Sequence, residues 1–421
     1  MPSSSSGLVF NERYEHVHPL AVVRPRDAHD VQAVVRWGRR RNVRVIPRSG
    51  GHSYGGYSTG AGGVVLDLST LRGVHVTGRT AVIGPGTILY DVYTALSRHG
   101  GTVPGGSCPT VGFGGLTLGG GIGLASRKLG TTSDNVLAMV VVTGDGRLLN
   151  VNVKHHSDLF WALRGGGGRN FGVVTSFRAR VTPVRSGAWF SATYDWTEGP
   201  DVVPAWQRWC ATTRPEFFTL CSLGSGQTLQ VFGQYFGGEA AMRAALPPFV
   251  TRNARLRTGT ASYLDLMLRW AGCLGDSPAV CRTPRRSTFA AKSDYMTRPM
   301  TGAAVRTLQQ RLEQPAGRGA VLMDSYGAAL RRTNGAFQHH NAICSVQELA
   351  YWEGRAAPAL EWLRGVHGAL RPHVDGRAYV NYIDPELVDW RHAYYGPALP
   401  RLLSVRRRYD PDRVFRFAQG L

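Results

Sequence analysis

Four glycines crowd one histidine in the nine residues Arg48-Ser49-Gly50-Gly51-His52-Ser53-Tyr54-Gly55-Gly56. The runs on either side, Val43 to Pro47 and Gly63 to Leu68, predict short strands. With no Cβ in the way, a turn of this kind lets backbone N–H groups approach a ligand closely. Successive free N–H groups make a nest for an anion, most often a phosphate, and the histidine stands where it can touch what that anion carries. The bland alternative is a surface turn with a solvated histidine. A second glycine-dense stretch follows at Gly105-Gly106-Ser107-Cys108-Pro109-Thr110-Val111-Gly112-Phe113-Gly114-Gly115, and it runs on into Gly119-Gly120-Gly121-Ile122-Gly123. It holds a single cysteine. A third is Gly165-Gly166-Gly167-Gly168-Arg169-Asn170-Phe171-Gly172.

The pair RSGGHSYGG and GGSCPTVGFGG, followed by LTLGGGIGLASRKLG, resembles the berberine-bridge-enzyme-like flavoprotein oxidases of the vanillyl-alcohol-oxidase (PCMH-type) superfamily. The resemblance implies FAD bound twice, through His52 at the flavin 8α carbon and Cys108 at C6. It implies cofactor contacts from Arg48, Ser49, Gly50, Gly51, Ser53 and Tyr54 in the first loop. The second loop would add Gly105, Val111, Gly112, Gly114, Gly115, Gly121 and Gly123. Gly172 and Val174 follow the third loop, and Tyr379 and Asn381 lie in the tail. The implied fold class is α+β: a two-subdomain PCMH-type FAD-binding domain over 1–185, then a substrate domain over 186–377 with an antiparallel sheet backed by helices. A C-terminal segment, 378–421, would return to the FAD domain and seat a tyrosine over the flavin. One departure is visible: Arg169 stands where the family usually has glycine, which leaves the backbone path of that loop open.

Composition narrows the alternatives. At 421 residues the chain is long enough for two or three domains, and 43% hydrophobic residues is ordinary for a globular protein. No apolar run reaches the roughly 20 residues that cross a bilayer. The N-terminus MPSSSSGLVF has no basic or long apolar region of a signal peptide, which favours the cytoplasm over export. The formal net charge is +21, a balance that often marks nucleic-acid binding. Yet only Lys128, Lys154 and Lys292 are lysines, and the arginines are scattered apart from Arg39–Arg41 and Arg406–Arg408. An arginine-favouring coding bias explains this more simply, so no nucleic-acid partner is expected. The expected partners are a small-molecule or oligosaccharide substrate and O2, with the chain a monomer or weak dimer. Of the six cysteines no two form a C-x-x-C pair, so a zinc ribbon is not expected, nor any metal. Cys273 and Cys281 flank a Gly/Asp/Ser/Pro loop that a disulfide could bridge.

Along the chain, Asp27 predicts the cap of a helix over 28–41 with Val31, Val34, Val35 and Trp37 on its apolar face. Further strands are expected at 74–76, 81–83, 137–143 and 173–180, with helices from Thr87 to Leu96 and over 157–163. Beyond 186, strands at 188–195, 218–223, 229–236, 325–330 and 342–347 and helices at 202–210 and 239–246 fit the second domain.

Flavin chemistry asks for a substrate C–H bond held at the ring and a group that takes the proton from the attached oxygen or nitrogen. The resemblance points to Tyr382, in Tyr379-Val380-Asn381-Tyr382, as that base. Tyrosine needs a neighbouring charge or strong hydrogen bond to bring it down from about 10. Were this segment a strand, Asp384 would share a side with it. Gln347 or Glu348 would face the flavin from the substrate sheet, Gln347 in the better register and able only to bind the substrate oxygen. His339, in a Phe337-x-His segment, reads as structural rather than catalytic. Tyr54, Trp270, Tyr295 and Tyr326 could form a sugar platform or belong to the core. Val111, a small residue three after Cys108, implies room for O2 above the flavin and hence an oxidase making H2O2. The expected reaction is hydride transfer from an alcohol of a sugar, oligosaccharide or glycosylated or polycyclic natural product. The alternatives are oxidative cyclisation or desaturation on the same scaffold, or a non-catalytic basic nucleotide-binding protein.

Overall fold

The computed structural model describes residues 9–252, 254–314 and 318–421, so most of the N-terminal stretch MPSSSSGLVF lies outside them. The chain opens with a parallel three-stranded sheet of β1 (Ala21–Val23), β2 (Arg44–Arg48) and β3 (Gly63–Asp67), ordered β1-β3-β2. Between β1 and β2 runs a helix, Ala28–Arg41, whose first turn is capped by the Asp27 carboxylate, which accepts from the N–H groups of His29 and Asp30. Its buried stripe is Val31, Val35 and Gly38, a spacing of four and three. Trp37, expected on that stripe, falls about 100° away from Gly38 and is exposed. Gly38 sits so close to β2 that a Cβ there would stand 2.6 Å from Val45 Cγ2.

Next come β4 (Val74–Thr77), β5 (Thr80–Ile83), β6 (Gly101–Thr102), β7 (Val136–Thr143), β8 (Leu148–Asn152) and β9 (Gly172–Arg180). Five of these form an antiparallel sheet in the order β4-β5-β9-β7-β8, while β6 pairs with β10 (Thr182–Pro183). The β-branched run of β7 is buried at its centre and end, as a continuous apolar strand should be.

The third sheet has seven antiparallel strands: β11 (Ser186–Tyr194), β12 (Phe217–Gly224), β13 (Thr228–Tyr235), β14 (Arg255–Ser262), β15 (Phe289–Met296), β16 (Arg318–Ser325) and β17 (Cys344–Tyr351). Their order is β14-β11-β13-β12-β16-β17-β15. Helices Gly199–Thr212, Gly302–Leu312 and Ala357–Leu370 back one face, around Trp206, Met323, Val346 and Trp362. The strand expected at 325–330 is displaced: β16 ends at Ser325, and Ala328–Arg331 is a 3₁₀ turn. Likewise β17 begins two residues later than expected and runs to Tyr351. The two parts of the molecule are pinned by Arg127, fully buried, whose guanidinium donates to the carbonyls of Cys210 and Thr213 at 2.7 Å and to that of Tyr326.

Candidate functional site

The first two glycine loops interlock. A Cβ on Gly50 would lie 2.4 Å from the Gly112 nitrogen, and one on Gly112 would lie 2.2 Å from the Gly50 nitrogen. Contact this close is open only to bare backbone. The His52 ring carries the same junction: its Nε2 is 3.0 Å from the Thr110 hydroxyl, two residues past Cys108. Phe10, from the N-terminal segment, stacks on the imidazole at 3.9 Å and 18°. Burial pulls the His52 pKa down to about 3, a drop that its hydrogen bond with Thr110 only partly offsets. The ring is therefore a neutral imidazole throughout the physiological range. Cys108 is open to the same cavity yet ringed by protein, and that desolvation raises its thiol pKa.

The cavity these loops border has a volume of about 420 Å³, within the range of small-molecule sites. Ser49, Gly50, Gly51, Ser53, Tyr54, Val111, Gly112, Gly115, Gly123, Gln347, Tyr379, Asn381 and Tyr382 all line it beside His52 and Cys108. Six other expected cofactor contacts stand behind the lining. Arg48 is buried against Asp67 at 3.3 Å. Gly105 backs onto the Tyr93 hydroxyl, Gly114 onto Pro85, and Gly121 donates to the Tyr379 hydroxyl at 2.9 Å. Gly172 and Val174 belong to β9, paired with Thr143 and Val141.

Period-two alternation along β12, β16 and β17 sets the opposite wall. Phe218, Leu220, Leu322, Asp324, Gln347, Leu349 and Tyr351 face the cavity, while Phe217, Cys221, Val321, Met323, Cys344 and Val346 face the helices. That parity decides between Gln347 and Glu348. Gln347 points into the cavity and donates to the Tyr54 hydroxyl at 2.7 Å. Glu348 points to the helix side, 3.1 Å from His367 Nδ1. Tyr54 in turn stacks on Tyr382 at 5.4 Å and 11°.

Tyr382 closes a 3₁₀ turn, Val380–Tyr382, and is not on a strand. Asp384 accordingly turns away and takes a hydrogen bond from Lys292 at 2.8 Å, so it does not orient the tyrosine. The tail is pinned by Asn381, whose Nδ2 donates to the Leu116 carbonyl at 3.0 Å and to the Tyr379 hydroxyl at 2.9 Å. Burial, then the carboxylate of Asp324, pushes the Tyr382 hydroxyl pKa well up, opposite to the direction expected of a free tyrosinate base.

Asp324 was not singled out in the sequence. It is the one carboxylate among the described lining residues, and desolvation raises it to about 6 against a partial offset from the Ser345 hydroxyl at 3.3 Å. The only signal for it would have been correct placement of β16, whose cavity parity it shares with Leu322. Phe10 was likewise unread, since nothing in its neighbours marks a site. The other platform candidates are core. Trp270 stacks on Phe232 at 5.3 Å, and the hydroxyls of Tyr295 and Tyr326 meet at 3.2 Å. His339 is buried, stacked on Tyr295 at 3.8 Å, and absent from the lining, so it is structural. Cys273 and Cys281 are free thiols, with Cys281 Sγ 3.5 Å from the Cys273 carbonyl.

The lining fits FAD. Gly115 and Gly168 border the cavity as bare backbone, with no non-neighbouring atom within 4 Å of where a Cβ would stand. A neutral imidazole and a thiol stand on its loop wall, and a buried guanidinium, Arg169, faces it as the sole lysine or arginine among the described lining residues. When bound, FAD supplies the hydride acceptor.

Comparison with known proteins agrees. The FAD binding domain family matches residues 19–152, and the berberine and berberine-like family matches residues 378–421. The FAD-linked oxidoreductase YgaK of Bacillus subtilis (strain 168) is 30% identical over 426 residues, spanning 97% of this chain and 92% of its own. The berberine bridge enzyme-like Cyn d 4 of Cynodon dactylon is also 30% identical, over 96% of this chain and 84% of its own. Among solved structures, Physcomitrella patens BBE-like 1 superposes with a TM-score of 0.90 at 28% identity, over 98% of this chain and 93% of its own. A chitooligosaccharide oxidase does so with a TM-score of 0.91 at 25% identity, over 98% and 94%. Among the described residues no helix is long and apolar enough to cross a membrane. The chain belongs to the berberine-bridge-enzyme-like family of FAD-linked oxidoreductases.

Proposed function

We propose that this protein is an oxidase that carries FAD on two covalent bonds, from His52 to the flavin 8α carbon and from Cys108 to C6, and takes a hydride from a substrate alcohol. The observation that carries this reading is the junction at Thr110: one hydroxyl ties the imidazole to the cysteine loop, so both anchors border one cavity. The neutral imidazole keeps a lone pair available for such a bond at any physiological pH. Two bonds would hold the ring without enclosing it and leave the cavity open to a bulky substrate.

Across the cavity, Asp324 is the proton acceptor, and Tyr382 stands on the same cavity as a neutral phenol. Asp324 is ionised at neutral pH and faces a tyrosine that cannot ionise on its own, so the carboxylate sets the direction in which the proton leaves the substrate oxygen. Gln347 holds Tyr54 in place, and Tyr54 supports the Tyr382 ring. The rest of that wall is Phe218, Leu220, Leu322, Leu349 and the aromatic Tyr351. It favours an alcohol borne on an apolar ring system over a free monosaccharide. The same wall would seat a substrate for oxidative cyclisation or desaturation, which also removes two hydrogens. Val111 borders the cavity as the small residue beside which O2 would reach the flavin.

The test is direct. Acid-precipitated protein should stay yellow, and mass spectrometry should find flavin on both the His52 and the Cys108 peptides. Peroxide-coupled screening of polycyclic alcohols, glycosides and sugars, with NMR of the product, then separates alcohol oxidation from ring closure. Bare peptides at both anchors, or turnover with artificial acceptors and no peroxide, would end the bicovalent-oxidase reading.

A further inference from the structure

Arg169 stands at a position for which the chain gives no internal reason. Its φ is +64°, a left-handed conformation that costs a non-glycine residue about 1 kcal/mol. Its side chain is 92% removed from solvent, since 8% remains exposed. One terminal nitrogen donates to the Tyr57 carbonyl and the other to the Arg416 carbonyl at 3.0 Å, with the Phe417 ring 4.9 Å beneath. Its Nε is buried with no hydrogen-bond partner. Among the described residues no carboxylate pairs with it; burial, and after it the charge of a second cation, Arg44, disfavours its own charge. A buried guanidinium with neither counter-ion nor a full set of acceptors is a costly arrangement, and such groups are retained where an anion completes them. The guanidinium borders the cofactor cavity with Tyr57, Ser58 and Gly168.

We propose that Arg169 is a cofactor-binding residue whose guanidinium pairs with the diphosphate of FAD. The inference rests on FAD being the group held in this cavity. Of the parts of oxidised FAD, the diphosphate alone carries permanent negative charge; the isoalloxazine, ribityl and adenosine portions are neutral. Arg169 and the carboxylate Asp324 lie on different walls, the first on the glycine-loop and C-terminal side, the second on the sheet. The cation therefore belongs to the cofactor's anion, and the carboxylate to the substrate.

The experiment uses the full chain with both anchors removed, His52→Ala/Cys108→Ala, so that binding is reversible. Arg169→Gln, Arg169→Gly and Arg169→Lys are added to it, and dissociation constants are measured for FAD and for riboflavin, which has no phosphate. A charge-assisted hydrogen bond predicts FAD binding weakened about 10- to 100-fold by Gln and by Gly, with riboflavin changed less than about twofold and Lys retaining most of the affinity. Arg169→Gly also relieves the left-handed backbone, and riboflavin, which shares the site without a phosphate, reports any fold defect from the lost contacts to Tyr57, Arg416 and Phe417. Equal weakening of riboflavin and FAD, or no weakening of either, overturns the proposal. If the background binds no FAD at all, the cofactor assignment itself fails, which is a separate result. In the tethered holoenzyme, Arg169→Gln should shift the diphosphate resonances in phosphorus NMR and leave the flavin midpoint potential unchanged. Unmoved resonances with a lowered potential would place the guanidinium at the ring and refute the pairing.

Discussion

Asp324→Asn should make the protein more stable and less active at once, and the pH at which each effect appears is fixed by the cavity wall. Desolvation holds this carboxyl at about 6 in the folded chain against 3.8 for an unperturbed one. A folded value above the unfolded one means that ionisation opposes folding. The sign follows: below the unfolded value the group costs nothing, the cost grows as pH rises from about 3.8 to about 6, and it is full above that. Two pH units correspond to about 3 kcal/mol at 1.36 kcal/mol each. Because the carboxylate opens on the cavity, solvent screening lowers the expectation to roughly 1–2 kcal/mol. Asparagine keeps the shape and can still accept from Ser345, so the variant removes charge and little else. Its Tm should exceed that of the parent by a few degrees at pH 7–8, with the gap closing as pH falls to 4. In anaerobic stopped-flow, the limiting rate of flavin reduction should fall about 100-fold or more, and the acid limb near pH 6 should vanish from the pH profile. A variant that is less stable at pH 8, or that reduces its flavin within threefold of the parent with the limb intact, refutes the role given to this carboxylate.

Val111→Leu places an extra methylene in the cavity lining and should slow reoxidation by air about tenfold or more while leaving anaerobic reduction within about twofold; unchanged reoxidation removes the oxygen-access argument. Gly112→Ala forces a Cβ to within 2.2 Å of the Gly50 backbone, so stability should fall by about 2–3 kcal/mol or more and flavin on the Cys108 peptide should be lost; a normal melting temperature would show the loops are not interlocked. His367→Ala takes from Glu348 its imidazole partner at 3.1 Å and leaves Asp294 with Arg371 alone, at 3.2 Å, and should cost about 3 kcal/mol at pH 7 by thermal denaturation. Burial works against the His367 charge, but hydrogen bonds to both carboxylates hold its pKa up to about 9. The parent's advantage over the variant should thus be full below about pH 6.5 and fade as pH rises through about 9; a pH-independent difference would mean the loss is one of packing alone.

What could be read from residues alone was what lies in short-range pattern. The Asp27 cap, the apolar run of β7 and the three glycine loops are local signals, and the cavity does form where two of those loops meet. Register in the seven-stranded sheet was not legible. The strand signal at Ser325 was read forward when β16 runs backward from it to Arg318, which hid Asp324 among apolar neighbours. Gln347 and Glu348 are adjacent in the chain and opposite in space, so only the pleat separates them. Tyr382 was placed by its neighbours Tyr379 and Asn381, but a strand and a 3₁₀ turn read alike over so few residues, and the turn sends Asp384 to Lys292. Phe10 could not be found at all, because its stacking on His52 depends on a contact between residues over forty positions apart.

The cavity handles charge by exclusion. Its imidazole and thiol are each held in the neutral form by the same desolvation, acting downward on a base and upward on an acid. Tyr54, Tyr379 and Tyr382 are pushed upward as well, so no phenol on the wall ionises unaided. Against this neutral lining two groups keep their charge: Arg169, whose Nε has no partner, and Asp324, which desolvation raises against the Ser345 hydroxyl. A low-dielectric wall strengthens whatever field those two groups exert. Moving either charge to the other wall would put a carboxylate against the cofactor's diphosphate and a cation where a substrate proton has to leave. A redox site that must hold a dianion at one side and accept a proton at the other therefore needs its two charges segregated as they are here, each carried on its own half of the fold.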